Sequence, residues 1–263
     1  MGRNDGFERA LHAPAASPAR TDLRSPARDL LSAAAVSWAG EAEIVRTYFE
    51  RHRTVERDLL WLAAQAYKET WDLRTLPDSL REQVWRTGTV AAHPAGPEEG
   101  AKLAVEMRHF RLIAALAEEL SGRPVRFEHL PQLAEEERLQ ALRAPHRSGS
   151  AFERAVVNFT EGGGGAMYRV LADLEGGDFE RRIAVSFREI YADEISHGPA
   201  QIHEVSRLAR EAADWALAME IVRKVGRQRL RMRNEMFSFP LGDDRLEEIA
   251  VGKIEPWPVS VAL

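Results

Sequence analysis

Glu106-Met107-Arg108-His109 and Glu194-Ile195-Ser196-His197 repeat one spacing, Glu-x-x-His, in two separate stretches of a 263-residue chain. Residues three apart share a face of an α-helix, so each motif projects a carboxylate and an imidazole toward one point. Each is preceded by a further glutamate, Glu69 and Glu161, roughly ten helical turns upstream. The chain therefore has to be read as helices that bring these positions together.

The rest of the sequence agrees with that reading. Residues 1 to about 28 are punctuated by Pro14, Pro18 and Pro26 and are expected to form a flexible arm. From Asp29 to Thr75 the pattern is helical, with Leu59, Leu62, Ala63, Ala66 and Leu73 at a period near 3.6, and Leu76-Pro77-Asp78 stops it. A short helix is expected over Ser79 to Trp85, then a loop through His93-Pro94-Ala95-Gly96. Pro97-Glu98-Glu99 suits a helix start, since proline is tolerated in the first turn and acids complement the dipole there. That helix ends at Ser121-Gly122-Arg123-Pro124. A long connection follows, with a small helix near Ala134 to Leu142. A third main helix is expected from Ala151 to Leu174, and a fourth from Phe179 through His197, past a kink at Pro199, to Arg233. The three divisions are an arm over 1–28, a helical bundle over 29–236 and an extended tail over 237–263. Strand patterns are nearly absent, which makes the fold class all-α.

With two helix pairs joined by one long crossover, and two copies of Glu…Glu-x-x-His, the chain resembles the ferritin-like di-metal carboxylate proteins. The resemblance implies a four-helix bundle with extra helices, and six metal ligands: Glu69, Glu106, His109, Glu161, Glu194 and His197. Depth along the hairpins is consistent with it. Glu69 and Glu106 lie roughly 10 and 13 Å from their turn, and Glu161 and Glu194 roughly 21 and 24 Å from theirs. Glu56 and Glu50 lie too far from the turn to match; Asp72, three residues from Glu69 on the same face, remains an alternative. A lone Glu-x-x-His is more often a solvated helix face, so the weight rests on the pair.

Neighbouring residues extend the reading. Asp193 makes the second motif Asp-Glu-x-x-His; in the family such an aspartate bonds the histidine of the other half, here His109, against the plainer reading of a surface acid. Val105 stands where the first motif would carry its aspartate. Gly162–Gly165 follow Glu161 directly, and four glycines in a helix cost about 3–4 kcal/mol relative to alanine. They are read as a distorted but continuous helix that clears space beside the metals; the rival reading ends the helix at Glu161. Tyr168 is expected to be buried and bonded to a ligand, Gln201 to be structural, and His203 to lie at the surface. The basic run from Arg223 to Arg233 is read as a solvated helix face rather than a phosphate grip. Trp215, Leu217, Met219 and Ile221 give the same helix an apolar side, for the bundle or for the partner of a homodimer.

Composition narrows the chemistry. The chain has no cysteine, which removes disulfides, thiolate zinc sites, iron–sulfur clusters and a cysteine nucleophile. A net charge of -5 argues against bulk nucleic-acid binding. No apolar run approaches the ~18 residues that span a bilayer, and the N-terminus has no apolar signal core; Gly6 breaks the myristoylation pattern. A cytoplasmic location is expected. The resemblance implies two iron ions, with manganese or a mixed pair also suited to these ligands. The expected activity is that of a non-haem di-iron oxidase or oxygenase acting on a small organic substrate with dioxygen, and drawing electrons from an external donor or from the substrate. Within the same resemblance the alternatives are an iron-binding ferritin-like protein without catalysis, or a peroxide-handling or tRNA-modifying di-metal enzyme.

Overall fold

The computed structural model describes residues 26–74, 76–87, 96–194 and 201–259. The regular elements among these residues are all helices, with no strand, as expected. No helix among them is long and apolar enough to cross a membrane.

Helix α1 (Pro26–Thr47) begins inside the expected arm, with Pro26 and Asp29 in its first turn, where a missing N–H and a negative charge cost least. It is rich in alanine and buried over most of its circumference. The single helix expected from Asp29 to Thr75 is instead broken. A π turn at Tyr48–His52 leads to extended backbone at Arg53 and Thr54, and α2 (Val55–Glu69) starts afresh with the Thr54 hydroxyl capping the Arg57 N–H. Buried Asp58 holds the break. It accepts from the Tyr48 hydroxyl (2.8 Å), Trp61 Nε1 (3.0 Å) and Arg53 Nε (2.7 Å), so residues on both sides of the bend converge on one carboxylate.

Two one-sided helices follow, α3 (Trp71–Arg74) and α4 (Asp78–Thr87), and then α5 (Pro97–Ser121), which matches its expected bounds. Pro97 opens α5, and Gly122 closes it with φ 66°, the left-handed conformation that glycine adopts without strain. The connection after α5 contains α6 (Ala134–Arg147). The third expected helix is split into α7 (Ala151–Phe159), which carries a Ser150–Glu153 capping box, and α8 (Gly162–Ala172). The fourth is α9 (Asp178–Glu194); beyond it lie α10 (Gln201–Leu208) and α11 (Ala212–Met236), separated by a break rather than continuous. His197 and Pro199, like the loop residues His93 to Ala95, lie outside the described residues. The tail is not wholly extended: α12 (Asp243–Ala250) packs on α1 and α11, and the Trp257 N–H then donates to the Ala35 carbonyl at 3.0 Å.

α1 packs between α8 and α11, α2 pairs with α5, and α8 pairs with α9; α5 and α9 join the two pairs. Aromatic rings tie these layers together. Trp61 on α2 stacks on Phe237 (5.3 Å) and meets Phe187 on α9 (5.9 Å), which in turn meets Tyr168 on α8 (5.8 Å).

The glycine run is helical and its space is divided: Gly164 lines the cavity beside the cluster, whereas Gly162 and Gly163 make room for α1. A Cβ on Gly162 would fall 2.5 Å from the Trp38 ring, and one on Gly163 only 1.8 Å from Glu41 Oε1, whereas Gly165 has nothing within 4 Å. Gly162→Ala is therefore expected to destabilise by about 1–3 kcal/mol through overpacking, despite alanine's better propensity. Gly165→Ala should stabilise by up to ~1 kcal/mol. Paired thermal melts of the two variants check this; equal shifts would refute the close α1–α8 contact.

Candidate metal centre

The site forms where the two helix pairs meet. Glu69 is the last residue of α2, Glu106 and His109 lie one turn apart on α5, and Asp193 and Glu194 end α9. One donor atom from each of Glu69, Glu106 and His109 falls within 4.8 Å of the others, a group able to hold a metal ion. Glu194 Oε1 approaches the same imidazole nitrogen, His109 Nδ1, at 3.9 Å, and Glu69 Oε2 lies 3.5 Å from it.

The outward nitrogen of His109 is held by the other half of the molecule. His109 Nε2 lies 2.9 Å from Asp193 Oδ2, and Arg108 pairs with the same carboxylate. An Nε2–H donated to Asp193 leaves the Nδ1 lone pair directed at the glutamates, the tautomer a metal ligand needs. The orienting role of Asp193, which spacing alone left undecided against a surface acid, is thus present as a hydrogen bond between α5 and α9. Asp193 is held below the usual carboxylate range by that histidine, then by Arg108.

Burial and crowding set the protonation of the cluster. Burial and the neighbouring Glu69 push Glu106 up to about 10, with Glu194 adding to the effect. Burial works against charge on Glu69 too, but His109 and the hydrogen bonds from Glu106 and Gln65 keep it ionised. Burial likewise opposes charge on His109, yet Glu69 and Asp193 raise it. A proton thus stands in for part of the positive charge that clustered buried carboxylates require, and a divalent cation supplies that charge with a hard oxygen and nitrogen donor set.

Residues outside the motifs support Glu69. Gln65 Nε2 donates to Glu69 Oε1 at 2.6 Å and to the Tyr168 hydroxyl at 3.0 Å, and that hydroxyl donates to Glu69 Oε1 at 3.2 Å. Tyr168 is buried and bonded to the cluster as expected. Gln65 Oε1 in turn accepts from Arg233 Nη1 (3.3 Å), and Arg233 and Arg229 share the fully buried carboxylate of Glu41. This corrects the reading of the basic run as a solvated face. Arg223, Lys224, Arg227 and Arg231 are exposed, but Arg229 and Arg233 are buried. Gln65 and Glu41 were missed from sequence. Gln65 sits one helical turn before Glu69, a usable hint; Glu41 carries no local signal.

Glu161 does not join the cluster. It occupies the junction between α7 and α8, 45% exposed, with its carboxylate on Arg143 and within 3.9 Å of Arg147. Partial burial opposes its charge, but Arg143 leads the cations that hold it at about 2. It still lines the cavity shared by Glu69, Glu106, Glu194 and Tyr168, a space of about 200 Å³. Asp72, the rival to Glu69, lines this cavity as well and pairs with Lys102 at 2.9 Å. Gln201 is half-buried and His203 exposed.

No protein-family model, characterised protein or solved structure matches this chain. Its function has to be argued from the site.

Proposed function

We propose that the chain is a di-metal enzyme of ferritin-like architecture that uses dioxygen to oxidise a small organic substrate. The α2–α5 and α8–α9 pairs are taken as the four bundle helices. The observation that carries the reading is the convergence of Glu69, Glu106 and His109, with Glu194 beside the same imidazole nitrogen. In this reading Glu69, Glu106, His109 and Glu194 would hold metal, and Glu161 and His197 would supply the remaining ligands. Iron held there would supply electrons and open positions for dioxygen.

The chain's own groups would do the rest. Gln65 and Tyr168 fix one oxygen of Glu69, and Asp193 fixes the ring of His109, so the ligands start close to their binding geometry. The aromatic rings beneath Tyr168 keep water from that side. Because the chain has no cysteine, electrons come from a donor protein or from the substrate itself.

The position of Glu161 on Arg143 favours a second reading, a single-metal centre made by Glu69, Glu106, His109 and Glu194. Anaerobic loading with ferrous iron, desalting and elemental analysis separates the two. Two irons per chain are expected, followed on admitting oxygen by stoichiometric oxygen uptake and a transient visible absorbance. One iron per chain selects the single-metal centre. No retained iron sinks both, and a steadily growing ferric band with many irons per chain would mark storage instead.

A further inference from the structure

The cavity beside the metal-binding cluster has a charge balance that the cluster does not explain. α6 turns Glu136, Gln140, Arg143 and Arg147 toward it, residues recurring on one helical face. Lys68, Lys102 and Arg229 face it from α2, α5 and α11. Their partners are too few. Arg143 and Arg147 share Glu161, and Arg229 shares Glu41 with Arg233. Lys102 has Asp72, while Lys68 has Glu136, 3.9 Å away and beyond hydrogen-bond reach. Among the described residues that line the cavity, Lys68, Lys102, Arg143, Arg147 and Arg229 therefore stand against three carboxylates, Asp72, Glu136 and Glu161, once Glu69, Glu106 and Glu194 are assigned to a metal, which adds positive charge of its own.

The arrangement also has depth. Lys102, Arg147 and Glu161 stand at an exposed rim, whereas Arg143 is 5% exposed and Lys68 is half-buried. Among the described residues Arg143 Nε has no hydrogen-bond partner, and Lys68 Nζ stands 3.9 Å from Glu136 Oε2, too far for a hydrogen bond. Donors left open in a concave, cation-rich space attract and orient an anion. At about 200 Å³ the space is smaller than the ~300–1,000 Å³ of drug-sized ligand sites, which restricts it to a compact metabolite.

Resting on the metal-centre reading above, we propose that the substrate is a small organic anion whose carboxylate or phosphate is held by Lys68, Arg143 and Arg147. The remainder of the molecule then faces Glu69, Glu106 and Glu194. The anion would be drawn in past the rim cations, so binding should weaken as salt rises.

Calorimetric titration of metal-free and zinc-loaded protein tests this, with butyrate, its neutral counterpart butyramide, and inorganic phosphate as probes. Butyrate or phosphate is expected to bind at least tenfold more tightly than butyramide in both forms; the tighter of the two identifies the anion class. Lys68→Gln and, at the rim where folding is not at stake, Arg147→Gln should each weaken that binding about tenfold, with bound zinc per chain unchanged. Butyramide binding as well as the anions, or both variants binding them as well as the parent, overturns the proposal. Anion binding that persists in a protein retaining no metal upholds the anion site and overturns the metal-centre reading alone.

Discussion

His109→Ala is expected to lower metal affinity by more than about 100-fold, while Asp193→Asn lowers it by about 10–100-fold, the range found for groups that orient a ligand. The difference follows from what each residue does. His109 brings the donor atom, and Asp193 only holds its ring, through Nε2. Neither change should unfold the chain. Asp193 is partly exposed, and His109 sits among polar groups rather than in the aromatic layer. Glu106→Gln makes the sharpest companion. It keeps the shape of the side chain and removes negative charge beside Glu69, so metal binding should fall while the metal-free Tm holds or rises. Equilibrium dialysis with a competing chelator, alongside thermal melts, reads both quantities. Unchanged affinity in His109→Ala would remove this imidazole from the site.

Glu41→Gln is expected to be the most destabilising single change away from the site. Glu41 is fully buried and takes hydrogen bonds from Arg229 (2.7 and 3.1 Å) and Arg233 (3.0 Å). Removing the carboxylate that both guanidiniums bond leaves buried positive charge uncompensated, at a cost of about 3–5 kcal/mol. For a chain of this size that lowers Tm by roughly 10 °C. Glu43→Gln is the control. Glu43 pairs with Arg245 at 2.7 Å nearer the surface, and its loss should cost about 1 kcal/mol or less. The pH dependence has a definite sign. Burial opposes charge on Glu41, but Arg229 and Arg233 hold its pKa below the usual 4.5. Its contribution is therefore complete above 4.5 and lost as pH falls through the lower, folded value. The parent protein should lose stability on acidification below 4.5 more steeply than Glu41→Gln. Parallel curves would show that Glu41 is not the group responsible.

Much of the fold was legible because local rules were enough. α5 was bounded correctly because Pro97 can start a helix and Gly122 can leave one left-handed, and neither depends on distant residues. The small helix expected near Ala134 to Leu142 is present as α6 and runs on to Arg147. The long first helix was misread because good helix formers continue past Tyr48. What breaks it is Asp58, whose buried carboxylate gathers Tyr48, Arg53 and Trp61 across the bend. The glycine run is helical and Gly164 lines the cavity as expected, but the helix is not continuous through Glu161, and Gly162 and Gly163 serve a contact with α1. The neighbours of those two glycines, Trp38 and Glu41, lie more than a hundred residues earlier in the chain.

The same division runs through the site. The spacing of Glu106 and His109 places both on one face of a helix whatever surrounds them, and the depth argument located Glu69 opposite them. Sequence alone thus determined the helical class and, of the six expected ligands, the group Glu69, Glu106 and His109 that could hold a metal, since both follow from a repeat of 3.6 residues per turn. The tertiary structure decided where the charges go. It set Glu161 on Arg143, took Arg229 and Arg233 out of the solvated face to meet Glu41, and brought Asp193 to His109. A buried charge must find a counter-charge within a few ångströms, and which one it finds is settled by helix packing rather than by position along the chain.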